Sequence, residues 1–133
     1  MNKIKLKLID TAFAHCEYSN NPMPPTSFSK YIEWDRNVSD TEDVVFYTEN
    51  NIRNVNVNGH KKRIAWLIEP YIKQRGNYEW LSENNHLFDY VLVNEKTLVD
   101  KGENFIFFPF GGCWIEEENR KFHDKTKIVS IVC

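Results

Sequence analysis

The feature that most constrains this chain is a set of short runs too apolar to present any face to water. Residues 63–68, RIAWLI, are continuously apolar after the first and stop abruptly at Glu69-Pro70. An amphipathic strand alternates every two residues and an amphipathic helix every three to four, so an unbroken run bounded by proline predicts a strand covered on both faces. Other segments share its brevity: residues 3–9 alternate lysine with isoleucine and leucine, residues 43–48 (DVVFYT) form a compact β-branched and aromatic run, residues 87–93 read LFDYVLV, and residues 105–108 read FIFF before Pro109. Each predicts a strand.

Polar stretches separate them. Residues 19–26 are rich in proline and asparagine and predict an ordered loop. Thr26 or Ser27 suits a helix N-cap, and Phe28, Tyr31, Ile32 and Trp34 recur at helical spacing, which predicts a helix over about 27–36. The asparagine-rich stretch from Glu49 to Gly59 suits a turn or exposed hairpin. Residues 77–86, with Tyr78, Trp80 and Leu81, predict a helix, and residues 94–102 a shorter one closed by Gly102. Strands alternating with helices predict an α/β fold: a Rossmann-like, mainly parallel, doubly wound sheet of five or six strands with flanking helices. A chain of 133 residues can bury such a core without disulfides or metal.

Residues 127–133, KIVSIVC, form a last apolar run with nothing after it. Two readings are open. Either residues 1–125 are one domain and 126–133 begin a second domain that the chain lacks, or the run is a sixth strand of the same sheet. In the first case a bare strand edge predicts self-association as a two-fold dimer, through this segment or the surface near Trp114; in the second the chain is a monomer.

Composition narrows the function classes. Seventeen basic and 19 acidic side chains give a net charge of -2, with no global pull toward nucleic acid or anionic membrane. The basic run from His60 to Arg63 reads as a solvated strand entrance. Cys16, Cys113 and Cys133 are odd in number and widely spaced, which predicts a reducing, cytoplasmic setting without disulfides or zinc. No signal peptide or transmembrane segment is evident, and His15, His60, His86 and His123 share no ligand spacing. There is no GxGxxG, GxxxxGK[ST], HExxH or GxSxG motif, so no cofactor or metal is expected.

Two positions stand out because ligands of open α/β sheets bind beyond the carboxyl ends of the strands. Glu69 follows the most apolar run, where desolvation suits a general base; from pattern alone a helix N-cap or an ion pair to Arg75 is the plainer explanation. Gly111 and Gly112 follow the strand at 105–108 and suit a tight turn or a close ligand approach. Trp66, Trp80, Trp114, Tyr71 and Tyr78 could stack on a sugar or a base; Trp66 reads as core, whereas Tyr71 and Trp114 lie just past strand ends.

IAWLIEP at 64–70, HLFDYVL at 86–92 and GENFIFFPFGGCW at 102–114 resemble the N-terminal half of fucosyltransferase-like glycosyltransferases, a likeness spanning about residues 43–133. That resemblance implies one half of a GT-B fold, the acceptor-side domain of an inverting enzyme used in polysaccharide biosynthesis. It implies Glu69 as the base, with Glu49 in FYTEN at 46–50 as a competitor, and Asp89 and Tyr90 on the strand supporting the acceptor side. The partners it implies are a sugar acceptor and, through a donor domain absent from this chain, a nucleotide sugar; the chain alone would be inactive. The lack of every nucleotide motif leaves a second class open, a non-catalytic binding or interaction module.

Overall fold

The computed structural model describes residues 3–10, 31–36, 43–109 and 118. Six strands form one sheet: β1 (Ile4–Ile9), β2 (Ile32–Asp35), β3 (Val44–Thr48), β4 (Lys62–Trp66), β5 (Tyr90–Val93) and β6 (Phe105–Phe107). Their order is β2-β1-β3-β4-β5-β6 and every pairing is parallel. The chain steps outward from β1 to β2, then returns past β1 and proceeds the other way. This is the reversal of a doubly wound, Rossmann-like α/β sheet, and it leaves a switch point between β1 and β3.

The connections on the β3 side are a 3-10 helix (Glu49–Asn54), the helix α1 (Tyr71–Asn84), a 3-10 turn (Asn85–Leu87) and the short helix α2 (Lys96–Val99). Ile52, Tyr78, Leu81 and Leu98 from these elements join Val45, Tyr47, Ala65, Val91, Val93 and Phe105 of the strands in one buried cluster. Since Tyr47, Ala65, Val91 and Phe105 stand in register, they project from one face, and the three helical connections cover it. Burial of this aliphatic and aromatic surface is the main force holding the helices to the sheet. On the opposite face Trp34, Phe46, Trp66 and Phe108 form a row of ring contacts with centroids 5.0 to 6.4 Å apart. Trp66 is therefore half-buried in that row rather than sealed in the main core.

Some sequence expectations are corrected. Ile32–Asp35 is a strand, although residues 27–36 read as a helix. Ile32 and Trp34 are also two apart, and the period-2 reading prevails because Trp34 packs edge-on against Phe46 while Asp35 on the other face pairs with Lys5 and Lys7. These ion pairs also explain the lysine alternation in β1, where Lys7 is the register partner of Asp35. The stretch after Glu49 is a 3-10 helix with Ile52 buried, within a parallel crossover and not a hairpin. Helix α1 begins six residues ahead of the expected start at Asn77, because its first turn is solvent-facing, with Ile72 89% exposed, and carries no apolar periodicity. Gln74 (φ -123°) kinks it. The runs at 111–114 and 127–133 lie outside the described residues.

Gly102 does not act through a left-handed backbone. A Cβ there would meet Asn85 Nδ2 at 2.5 Å, Phe105 Cδ2 at 3.2 Å and Asn104 Oδ1 at 3.3 Å. Asn104 Nδ2 also donates to the carbonyls of Asn85 (2.8 Å) and Phe88 (3.0 Å), so this corner has little room to yield. Gly76 in α1 is the contrast, with only Arg53 Nη2 at 3.6 Å from its virtual Cβ. Gly102→Ala should therefore lose about 1–3 kcal/mol of stability through overpacking. Gly76→Ala should gain about 0.5–1 kcal/mol from helix propensity. Urea unfolding of both variants checks the pair, and a Gly102→Ala protein as stable as the parent would show that Asn85 simply swings aside.

Candidate functional site

Three strand ends meet at the switch point, and acidic side chains converge there. Asp10 follows β1 with its side chain fully buried. Thr48 Oγ1 donates to Asp10 Oδ1 at 2.9 Å, and Arg36, just past β2, reaches Asp10 Oδ2 at 3.1 Å. A buried carboxylate needs such a partner, and Arg36 supplies the countercharge while tying the ends of β2, β1 and β3 together.

Glu49 follows directly and is built differently. Its backbone φ is 46°, the only left-handed non-glycine residue among those described. A side chain with a Cβ adopts this conformation at a cost of about 1–2 kcal/mol. The turn buries Glu49 to 1% exposure and aims its carboxylate at the β4–α1 connection. There Oε1 accepts hydrogen bonds from the backbone N–H of Ile68 (2.7 Å) and of Glu69 (2.9 Å). Oε2, equally shut off from solvent, has no hydrogen-bond partner among the described residues. Burial pushes the Glu49 pKa up to about 6; the two N–H bonds oppose that rise, and the nearby carboxylates of Glu69 and Asp10 add to it.

Glu69 lies half-buried in the β4–α1 turn. It neither caps α1, whose N-cap is Pro70 without a side-chain hydrogen bond, nor pairs with Arg75, which binds Glu79 at 2.7 Å. Its carboxylate makes no hydrogen bond or ion pair among the described residues, while its carbonyl accepts from Tyr78 Oη at 2.8 Å. Tyr71 stands beside it at the start of α1, partly exposed, with its ring 5.6 Å from that of Tyr78. Glu49, Glu69 and Tyr71 thus share the carboxyl end of the sheet.

Asp89 and Tyr90 do not join them. Asp89 precedes β5 at the amino end, where it accepts from the Arg63 N–H and from Lys62 Nζ, each at 2.9 Å, and Tyr90 is solvent-facing beside it. This pair locks the starts of β4 and β5 in register. The same contacts use the basic run at 61–63, since Lys61 pairs with Asp43 and Arg63 donates to the Val57 carbonyl. Gly111, Gly112 and Trp114 lie outside the described residues. Among the described residues no helix is long and apolar enough to cross a membrane, and no three metal-ligating side chains gather.

Comparison with known protein families, curated proteins and solved structures found no match.

Sequence reasoning ranked Glu49 below Glu69. The signal that would have raised it is the one that selected Glu69, a carboxylate directly after an apolar strand, applied to VVFYT at 44–48. The missing information was the strand order, which puts β3 between β1 and β4 at the switch point.

The raised pKa makes a measurable pH effect. As pH rises the unfolded chain gives up the Glu49 proton near 4.5, whereas the folded chain holds it to about 6. Between these values the folded state binds more protons, so the stability contributed by protonated Glu49 is lost as pH climbs through this window. The loss is about 2 kcal/mol at roughly 1.4 kcal/mol per tenfold change. Glu49→Gln should remove that slope, so its stability relative to the parent should improve by about this amount between pH 4.5 and pH 7. Urea titrations at both pH values check it, and parallel pH profiles for the two proteins would show that Glu49 titrates like an exposed glutamate.

Proposed function

We propose that the chain is the acceptor-side domain of an inverting glycosyltransferase, with Glu49 rather than Glu69 as the base that deprotonates the acceptor hydroxyl. The observation that carries the assignment is the surplus oxygen of Glu49. Tying the β4–α1 turn needs one acceptor atom, and Oε1 does it alone. Among the described residues Oε2 is buried without a partner, which costs free energy. Together with the left-handed backbone, it marks a residue held in a costly state where ligands of such sheets bind.

A carboxyl that titrates near 6 is suited to accept a proton near neutral pH. As the acceptor oxygen attacks the anomeric carbon, its proton passes to Oε2 and the bond to the nucleotide leaving group breaks, the nucleotide diphosphate carrying off the electron pair. Glu69, more exposed and without a partner, accepts hydrogen bonds from the sugar hydroxyls, and Tyr71 offers an aromatic face for stacking. Oε2 is covered in the free protein, so acceptor binding has to part that cover, which keeps water from the base until substrate is present. No glycine precedes Gly59, so the sequence has no glycine-rich turn after its first strand of the kind that cradles a pyrophosphate in many such sheets. This supports a domain that binds the acceptor and leaves the donor to another domain.

The test is sugar transfer by the whole product of the gene, with nucleotide sugars as donors and oligosaccharides as acceptors. Glu49→Gln should lower kcat by about 10²–10⁴-fold, the usual worth of a general base. Glu69→Gln should act mainly on acceptor KM. If Glu69→Gln abolishes turnover while Glu49→Gln retains it, the roles are exchanged. Full activity in both variants would remove the carboxylates from the mechanism, and acceptor binding without transfer from any donor would favour a binding module.

A further inference from the structure

The β4–α1 turn is gripped by two side chains to which the chemistry above gives no role. Asn94, the residue after β5, donates from Nδ2 to the Ile68 carbonyl at 2.8 Å. Its Oδ1 lies 2.5 Å from the hydroxyl of Tyr78, which also reaches the Glu69 carbonyl at 2.8 Å. A phenol has one proton, so these two acceptors share it. Tyr78 is 1% exposed, and burial pushes its pKa well above the ordinary value, so it stays a donor. With Oδ1 facing the phenol, the Asn94 amide has one orientation, nitrogen toward Ile68.

The carbonyl of Ile68 and the N–H of Glu69 belong to one peptide unit, planar and trans, so they point in opposite directions. Whatever holds that carbonyl aims that N–H. Asn94 holds the carbonyl, and the N–H points at Glu49 Oε1.

We propose that Asn94, oriented by Tyr78, is a positioning residue for Glu49: it sets the Ile68–Glu69 peptide plane so that Oε1 is pinned and Oε2 is the oxygen left for the acceptor. The proposal rests on the reading of Glu49 as the base, but its geometric part is testable without any transfer reaction. Asn94 touches no reacting atom; it acts through the peptide.

The experiment follows the full chain labelled with ¹⁵N and with carboxyl-¹³C glutamate, as parent, Asn94→Ala and Tyr78→Phe. The Glu49 resonance is identified by its absence from Glu49→Gln. The carboxylates facing Glu49, those of Glu69 and of the Arg36-paired Asp10, are unchanged in both variants. In Asn94→Ala the Glu69 amide should exchange about tenfold faster than in the parent, as expected for loss of one buried hydrogen bond. The Glu49 titration should move upward, because an N–H bond that favours its ionised form is weakened. Tyr78→Phe should shift both in the same direction and by less. A purely structural role would lower the melting temperature without moving the Glu49 titration, and that result overturns the proposal. If Asn94→Ala does not fold, Tyr78→Phe decides, since it removes a single oxygen; parent-like exchange and titration in that variant also overturn it. Loss of the glycosyltransferase reading leaves both NMR results standing.

Discussion

A single carboxylate oxygen joins the two central strands of this sheet beyond the point where the backbone ladder stops. Parallel strands satisfy one another only as far as their pairing runs, and β3 and β4 end their register at Thr48 and Trp66. Leu67 still donates to the Leu92 carbonyl, but the N–H groups of Ile68 and Glu69 then enter a turn closed by Pro70, which offers no side-chain cap to α1. Buried donors in such a place need an acceptor. Glu49 Oε1 supplies it from the neighbouring strand end, and the left-handed backbone at Glu49 brings the carboxylate within reach. The start of α1, the packing of Tyr78 and the seat of Asn94 all depend on the turn being held there.

The two ends of the sheet are treated differently. At the amino end charges are matched in pairs, Lys61 with Asp43 and Lys62 with Asp89, mostly in contact with water. Such pairs contribute little to stability individually and serve to fix register. At the carboxyl end Asp10 has its arginine, but Glu49 and Glu69 lie near each other with no cation paired to either among the described residues. Burial is the main cause of the raised proton affinity of Glu49, and the neighbouring carboxylates add to it, a combination suited to a base that works near neutral pH.

Much of the fold was legible because short apolar runs bounded by polar turns leave a clear trace. RIAWLI at 63–68, DVVFYT at 43–48 and LFDYVLV at 87–93 correspond to β4, β3 and β5 with shifts of up to three residues at their ends. What failed did so for identifiable reasons. Ile32 and Trp34 fit a helical spacing when read with Phe28 and Tyr31 and a strand spacing when read alone, and only contact with Phe46 and the Lys7–Asp35 pair decides between them. The first turn of α1 faces solvent and carries no pattern. In the site, the sequence found the right kind of residue in the right kind of place, a carboxylate at a strand end, but strand order selects which end matters, and order is a property of long-range pairing. Asn94 and Tyr78 were invisible as partners because their bond spans two elements.

The strand order also sets the sequence of events by which the chain can assemble. From β3 onward each strand pairs with the next strand in the chain, so Phe46 meets Ile64 and Val91 meets Phe105 across short crossovers. β1 also pairs with the next strand, β2, but its other neighbour is β3, and Leu8 must find Phe46 from the far side of β2 and everything joined to it. Contacts of high sequence separation form late because closing the larger loop costs more entropy before any contact rewards it. The half from β3 to β6 is therefore the natural nucleus, and β1 with β2 docks onto its finished edge. The wall of the switch point that carries Asp10 and Arg36 is then the last part to be built, so a ligand bound there would stabilise the contacts formed latest in folding.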